Sequence, residues 1–366
     1  MVWVRKKNAG YSSWYRNLLV LPITLSFIGL FFVFEASSVR SLTERGDGFY
    51  YLKLQVVWLA ASLALMVFFW RLDYKRLYFL SFPSMFFALI TLVIVLIPGL
   101  GSKAGGARRW IDLGLINFQP TEIAKFSVVI YLSSWFVNRE RKRFFTFLML
   151  IGTLILLIVL QPDMGTAIII FFLSIIVYFM AGNELVYLLF LIPGAALGFL
   201  FLVQISPYRF KRLLAYINPA LDPQGISYHI NQILISLGNG GLLGRGLGAS
   251  RQKYLFLPEA HTDSIFAIIA EEVGFVGSFL IVVAFFFLIL NIYRVVEKAP
   301  DRFGKLLAGG IFAYFCLQIC INLAGMTNLL PLTGVPLPFI SYGGSNLLVS
   351  YSLIGILLNI SKKAKA

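Results

Sequence analysis

The chain has 366 residues, 59% of them hydrophobic and 13% charged, with a formal net charge of +15. A soluble domain is about one quarter charged and less than half apolar, so this composition leaves too little polar surface to coat a soluble globule. In a soluble protein the positive excess would point to nucleic acid, but here the basic residues sit in short runs between apolar segments, where they set membrane topology; no nucleic-acid partner is expected.

Met1 to Arg16 is basic and precedes an apolar run. That run is too long for a signal peptide and carries no small-residue cleavage site, so the first span is expected to stay attached. A membrane-crossing helix needs about 20 mostly apolar residues. Ten spans are predicted, at 18–37, 52–70, 76–97, 121–137, 144–161, 164–181, 185–205, 264–292, 306–328 and 340–360. Gln161-Pro162-Asp163 interrupts a continuous apolar stretch and predicts a tight hairpin. The fold class is therefore an all-α membrane protein. It is a polytopic bundle of about ten transmembrane helices in one domain, residues 1–366, with a long extracytoplasmic loop between spans seven and eight.

Orientation follows from lysine and arginine. Short basic pieces such as Arg139-Glu140-Arg141-Lys142-Arg143 and Ser361-Lys362-Lys363 mark one set of connections as cytoplasmic, together with both termini. The cytoplasmic segments are too short for a nucleotide-binding domain. Gly244-Arg245-Gly246-Leu247-Gly248 has no strand before it to make a dinucleotide site and reads as a flexible turn. Two external segments stand out, 98–120 and 206–263. Within the second, Ile226 to Leu237 mixes polar and apolar positions and reads as a helix lying on the outer leaflet. Cys316 and Cys320, spaced i,i+4 on one helix face, read as buried thiols, and two histidines, His229 and His261, make a His-based metal site improbable.

Charges inside apolar spans cost about 2.5–3.5 kcal/mol each on insertion scales and usually face a cavity or each other. Glu122, Lys125, Asp163, Asp263, Glu271 and Glu272 are such charges. Lys125 and Asp163 both lie near the outer surface in this topology and are expected to pair, either to fix helix packing or to meet substrate. Asp263 opens span eight at the edge of the long loop. Partial burial there would raise its pKa and suit a general base; a helix N-cap is the competing reading. Glu271 and Glu272, about 12–14 Å deeper along the helix, read as a polar contact between helices. Lys103, Arg108, Arg109, Arg209, Lys211, Arg212, Arg245, Arg251 and Lys253 form an external basic set, read either as a clamp for a pyrophosphate-bearing lipid or as scattered loop charge.

Four segments in order carry a resemblance. They are Gly105-Gly106-Ala107-Arg108-Arg109-Trp110-Ile111-Asp112-Leu113-Gly114 with Phe118-Gln119-Pro120-Thr121-Glu122; Gln161-Pro162-Asp163-Met164-Gly165-Thr166-Ala167; Leu257-Pro258-Glu259-Ala260-His261-Thr262-Asp263 with Glu271-Glu272; and Pro336-Leu337-Pro338-Phe339-Ile340-Ser341-Tyr342-Gly343-Gly344-Ser345. Together they resemble the SEDS family (shape, elongation, division and sporulation), which includes FtsW and RodA, over residues 20 to 360. The resemblance implies ten transmembrane helices and an inverting glycosyltransferase that polymerises lipid II into peptidoglycan strands outside the bacterial cytoplasmic membrane, for division or shape. It implies that Asp263 is the catalytic residue, and that Arg108, Arg109, Trp110, Lys125, Asp163, Arg212, Lys253, Glu259 and His261 lie in the substrate region. Its implied partners are lipid II, the growing strand, a class B penicillin-binding protein (a transpeptidase) and other divisome or elongasome membrane proteins. No cofactor is certain; a divalent cation, magnesium or manganese, would help pyrophosphate leave, although the sequence shows no ligand cluster. Two positions depart from the pattern. Ser264 stands where an aromatic usually follows the His-Thr-Asp aspartate, and Asn346 where a second serine is frequent. Gly246-Leu247-Gly248-Ala249-Ser250-Arg251-Gln252-Lys253-Tyr254 is more similar to the FtsW-like division branch than to the elongation branch. The rival class is a lipid II flippase, for which Lys125, Asp163, Glu271 and Glu272 would line the path.

Overall fold

A computed structural model describes residues 13–99, 101–104, 107–112, 117–138, 144–184, 186–220 and 222–364. Gly105, Gly106, Leu113 and Gly114 of the first motif, the Arg139–Arg143 run and the first twelve residues lie outside them, as does the side chain of Lys103. In hydrocarbon every backbone N–H and C=O needs an internal partner, so apolar runs become helices. The ten predicted spans appear as α1 (Ser13–Arg45), α2 (Tyr50–Arg71), α3 (Arg76–Ile94), α4 (Pro120–Trp135), α5 (Phe144–Leu160), α6 (Met164–Met180), α7 (Val186–Ile205), α10 (Ile265–Lys298), α11 (Arg302–Met326) and α12 (Gly344–Lys363). Two further helices, α8 (Pro207–Ile217) and α9 (Tyr228–Gly240), lie in the long loop.

This is a multi-pass membrane protein. Seven helices are long and apolar enough to cross a membrane by length and composition, and α5 and α6 are shorter apolar helices of 17 residues each. The tenth, α4, has 16 residues and carries Glu122 and Lys125. Its charges are tolerated because it is buried in protein and not exposed to lipid. The centre is α12, buried along almost its whole length. Gly344 and Gly355 let it approach α2 closely: a Cβ at Gly344 would lie 2.2 Å from the Trp58 ring, and one at Gly355 2.4 Å from the Met66 carbonyl oxygen. Small residues at such crossings replace the hydrophobic drive that lipid cannot supply.

The connections sort onto two faces. On one, Tyr74 donates to Asp301 (2.5 Å), Lys363 pairs with Asp73 (2.5 Å) and Arg302 donates to the Ala181 carbonyl (3.0 Å). On the other, Arg212 and Tyr216 of α8 reach the carbonyls of Leu332 and Leu329, and the Tyr342 N–H donates to the His261 carbonyl (2.9 Å). Asp263 is on this second face. Here α1 runs past its predicted end at residue 37 to Arg45. Its 33 residues span about 50 Å at 1.5 Å per residue, well beyond a hydrocarbon core of about 30 Å, so its last turns form a wall for the Asp263 face.

Three expectations for the connections change. Segment 98–120, read only as a loop, forms a three-stranded antiparallel sheet, β1 (Gly101–Ala104), β2 (Ala107–Asp112) and β3 (Asn117–Phe118), in that order. The helix expected at 226–237 appears as α9, which buries Ile230, Ile233, Ser236 and Gly240, the last against α10, and leaves Leu234 and Ile235 exposed. A second helix with exposed apolar side chains, α8, was not expected: it presents Phe210, Leu214 and Ile217 beside Arg209, Lys211 and Arg212. The thiols also differ, since Cys316 is half-buried and Cys320 is exposed on α11.

The least regular element is α10, broken at Gly274 (φ 68°, ψ −169°). Breaking a helix frees two pairs of backbone groups. Segment 241–246 satisfies them: Phe275 and Val276 N–H donate to the Gly241 and Leu242 carbonyls, while the Glu271 and Glu272 carbonyls accept from Arg245 and Gly246 N–H, at 2.9–3.1 Å. The glycine run read as a flexible turn is thus wedged against a helix. A Cβ on Gly244 would lie 2.1 Å from the Glu272 carbonyl oxygen, and one on Gly274 2.2 Å from the Gly244 nitrogen. Gly274→Ala should therefore lose about 3 kcal/mol or more, from combined strain and overpacking. Thermal unfolding of the detergent-solubilised protein checks this, and an unchanged midpoint would contradict the wedge.

Candidate active site

Asp263 ends a turn that begins at Leu257. Leu255 and Glu259 hold left-handed backbone conformations (φ 67° and 50°), which non-glycine residues adopt only when the surroundings impose them. The Glu259 carbonyl accepts from the Thr262 and Ser264 N–H groups, both at 3.2 Å. The Thr262 hydroxyl lies 2.9 Å from Glu259 Oε2 and 3.1 Å from Asp263 Oδ1. One hydroxyl hydrogen cannot serve both carboxylates at once, so the two acids compete for it. From the other side, Asn322 Nδ2 donates to the Asp263 carbonyl (2.9 Å) and to the Val335 carbonyl (2.8 Å). The helix begins one residue later, with Ser264 as the N-cap of α10. The N-cap reading of Asp263 therefore falls.

The Asp263 carboxyl is half-buried and its pKa is pushed up to about 6, first by burial and then by the Glu259 carboxylate, with Thr262 and Arg212 opposing. One cavity is lined by the turn itself, and a second is lined by His229, which hydrogen-bonds Ser264. The first, of about 350 Å³, is lined by Arg40 and Glu44 of α1 with Lys253, Leu257, Glu259 and His261. The second, of about 250 Å³, is lined by Lys211, Arg212 and Tyr216 of α8 with His229, Asn328 and Leu332. His261 is buried between the rings of Tyr51 (4.7 Å) and Tyr342 (5.5 Å), with Nδ1 unpartnered. Burial holds its pKa down at about 4, with Glu259 opposing, so the ring is neutral near pH 7. Among the described residues no three His, Cys, Asp or Glu side chains converge as a metal site.

The expected Lys125–Asp163 pair does not form. Lys125 Nζ lies 2.7 Å from Glu122 Oε1 and 3.2 Å from Gln318 Oε1, over the Tyr314 ring, and is fully buried. Glu122 also accepts from Asn346 (3.3 Å), and Gln318 Nε2 donates to the Pro336 carbonyl (3.1 Å). Gln318 and Asn322 are i,i+4 on α11, so this network ends one turn below the amide that holds Asp263. Asp163 instead caps α6, accepting from the Thr166 N–H (3.1 Å) and hydroxyl (2.9 Å), and Gly165 packs α6 under Thr333. Both residues support the Asp263 face from below.

Glu271 and Glu272 do make a buried polar contact, but with a loop. They accept from the N–H groups of Gly248, Ser250, Arg251 and Gln252 and from the Ser250 hydroxyl (2.5 Å). Lys253 joins them, at 3.3 Å from Glu272 and 2.6 Å from Glu35 of α1. Its charge is neutralised by protein carboxylates, so it lines the larger cavity as a strut. Arg109 donates to the Gln161 (3.2 Å) and Pro162 carbonyls, fastening β2 to the α5–α6 hairpin. Arg108 and Trp110 are half-buried on that sheet. Of the predicted site residues, then, Glu259, His261, Asp263 and Arg212 gather at one turn, Lys253 borders it, and the others brace neighbouring parts of the face. The buried charges form closed pairs and caps, which removes the basis for reading them as a translocation path.

A family model described as cell cycle protein, FtsW/RodA/SpoVE, matches residues 15–366. The chain belongs to this family. Among family relatives, a probable peptidoglycan glycosyltransferase FtsW of Trichlorobacter lovleyi is 39% identical over 95% of this chain and 93% of its own length. The stage V sporulation protein E of Bacillus subtilis is 37% identical over 95% and 97%. Among solved family structures, the rod shape determining protein RodA of Thermus thermophilus superposes with a TM-score of 0.70 at 25% identity over 95% and 97% of the two chains. A chain from a structure described as "Structural coordination of polymerization and crosslinking by a peptidoglycan synthase complex" reaches 0.78 at 27% identity, over 94% and 97%.

Sequence reasoning missed Arg40, Tyr51, His229, Gln318 and Asn322. For Gln318 and Asn322 a signal existed, since amides spaced i,i+4 in an apolar span need interior partners. Lys125→Met would leave Glu122 buried without its ammonium and should cost roughly 3–5 kcal/mol, whereas Lys125→Met with Glu122→Leu should recover most of that loss. Thermal unfolding of the two variants checks this; a Lys125→Met protein as stable as wild type, but inactive, would restore Lys125 to the substrate.

Proposed function

We infer that this chain is a peptidoglycan glycosyltransferase that polymerises lipid II into glycan strands, with Asp263 as its general base. The half-buried carboxyl of Asp263, with its pKa raised to about 6 and the charge of Arg212, a residue of the smaller cavity, acting on it, carries the reading. The names of the relatives agree in reaction class. A base works best with a pKa close to the working pH. Asp263 accepts the proton of the 4-hydroxyl on one lipid-linked sugar as that oxygen bonds to the anomeric carbon of the other. The bond from that carbon to pyrophosphate breaks, and undecaprenyl pyrophosphate leaves with the electron pair. Arg212 and Lys211 in the smaller cavity are suited to the developing phosphate charge. One base and no covalent intermediate suffice for a reaction that inverts the configuration. Glu259 keeps the base from ionising too early, and neutral His261 shapes the larger cavity without adding charge.

We assign the Asp263 face to the outside of the bacterial cytoplasmic membrane and both termini to the cytoplasm. Arg71, Lys75, Arg76, Arg302, Lys362 and Lys363 all cap helix ends on the opposite face, as positive charge does on the cytoplasmic side. A transpeptidase of the class B penicillin-binding type is the proposed partner, because the chain is similar to one solved in a complex that both polymerises and crosslinks.

Lipid II polymerisation by the purified protein tests this. Asp263→Asn should slow it at least about 100-fold, and the wild-type rate should rise with pH through about 6. The pKa is raised above its ordinary 3.8, so the stability Asp263 contributes is fully present below pH 3.8 and is lost as pH rises through about 6. Asp263→Asn should then be more stable than wild type at pH 8, by about 1–3 kcal/mol, and equal to it at pH 4. Normal polymer from the Asn variant would remove Asp263 from the mechanism.

A further inference from the structure

Serine is among the residues best suited to cap a helix, because its oxygen accepts an orphan N–H of the first turn. Ser264 holds the cap position of α10, yet its hydroxyl makes no capping bond. Fully buried, it lies 2.8 Å from Nε2 of His229 instead. His229 stands on α9, 35 residues away in sequence. The Pro258 carbonyl also faces the ring, so one imidazole touches both ends of the Pro258–Ser264 turn that carries Glu259, His261 and Asp263. On its other side the ring lines the smaller cavity with Arg212. Burial and the Arg212 charge hold its pKa near 4, so it meets Ser264 as a neutral ring.

Asp263 is thus held from two directions. Asn322 of α11 binds its carbonyl, and the residue after it is bound from α9. The carboxylate itself has one hydroxyl neighbour, Thr262 on the same turn, so its direction depends on how the turn backbone is fixed. The position after the aspartate is also where this chain departs from the pattern it otherwise resembles. A large aromatic there would be held by packing, whereas serine offers almost no surface to pack and must be held by its hydroxyl.

We propose that His229 is a positioning residue for Asp263: by binding Ser264 from α9 it sets the angle at which the carboxylate meets the acceptor hydroxyl. This rests on the glycosyltransferase reading. It differs from a catalytic role, because the ring reaches the reacting atoms only through Ser264 and the turn.

The test combines His229→Leu, Ser264→Ala, their double variant and His229→Gln, whose amide reaches the same hydroxyl. In lipid II polymerisation, His229→Leu and Ser264→Ala should each lower kcat about tenfold with KM within about twofold, as expected for misaligned reacting groups. The double variant should be no slower than the worse single, the sign of a shared contact, and His229→Gln should recover most of the rate. Deuterium uptake of a peptide covering 257–264 should rise in His229→Leu and in Ser264→Ala. Additive losses in the double variant, a Gln variant as slow as Leu, or unchanged uptake in that peptide would each overturn the proposal. Wild-type protein that makes no polymer would instead strike the glycosyltransferase reading, and the uptake measurement would still decide the contact.

Discussion

A backbone in hydrocarbon has no water to complete its hydrogen bonds, and the Asp263 face is organised around one place where a helix breaks. At Gly274 the ladder of α10 stops, and the loop that precedes the helix supplies the missing partners. That exchange brings residues 241–253 against α10, places their N–H groups on Glu271 and Glu272, and carries Lys253 to Glu35 of α1. The chain then has residues 254–264 in which to return to the start of α10, and it does so with left-handed backbone at Leu255 and Glu259. The catalytic candidate sits near the end of that stretch because the helix break determines where the loop can go.

Buried charge follows the same logic. Glu122, Lys125, Glu271, Glu272 and Lys253 are all almost inaccessible, and an unpaired ion at any of these positions would be costly. Each has partners, and the partners tie elements together: α4 to α11 and α12 through Glu122, Lys125, Gln318 and Asn346, and α1 to α10 and the loop through Lys253. Asp263 is the exception. Its only side-chain hydrogen-bond partner among the described residues is the Thr262 hydroxyl, and the Arg212 charge acts on it. Burial and the neighbouring Glu259 carboxylate keep its pKa raised, and with it the capacity to take a proton.

Much of the fold could be read from the sequence because membrane helices declare themselves by length and hydropathy. The ten apolar runs and the hairpin at Gln161-Pro162-Asp163 all appear, although α1 continues from its predicted end at residue 37 to Arg45. The sheet at 101–118 was not legible, since its short strands are interrupted by glycine and charge and carry no alternating pattern long enough to register. The helix expected at 226–237 appears as α9, whereas α8 was not foreseen, because it is only eleven residues long and hides its apolar face among three basic residues. In the site, Asp263, Glu259 and His261 were found by their motif, and Arg212 by its charge. His229, Asn322 and Gln318 were not, because nothing local to them says what they touch.

By itself the sequence determined that this chain lies in a membrane, where its ten apolar runs fall, and which aspartate stands at the edge of the long loop. Those follow from residue type and spacing along the chain, which hydrophobicity and helix geometry convert directly into structure. The tertiary structure alone decided which charges pair. Lys125 chose Glu122 over Asp163, Lys253 found Glu35 across 218 residues, and His229 reached Ser264. Electrostatic partners are selected by distance in space and by burial, and both depend on how a long loop satisfies the backbone of a broken helix.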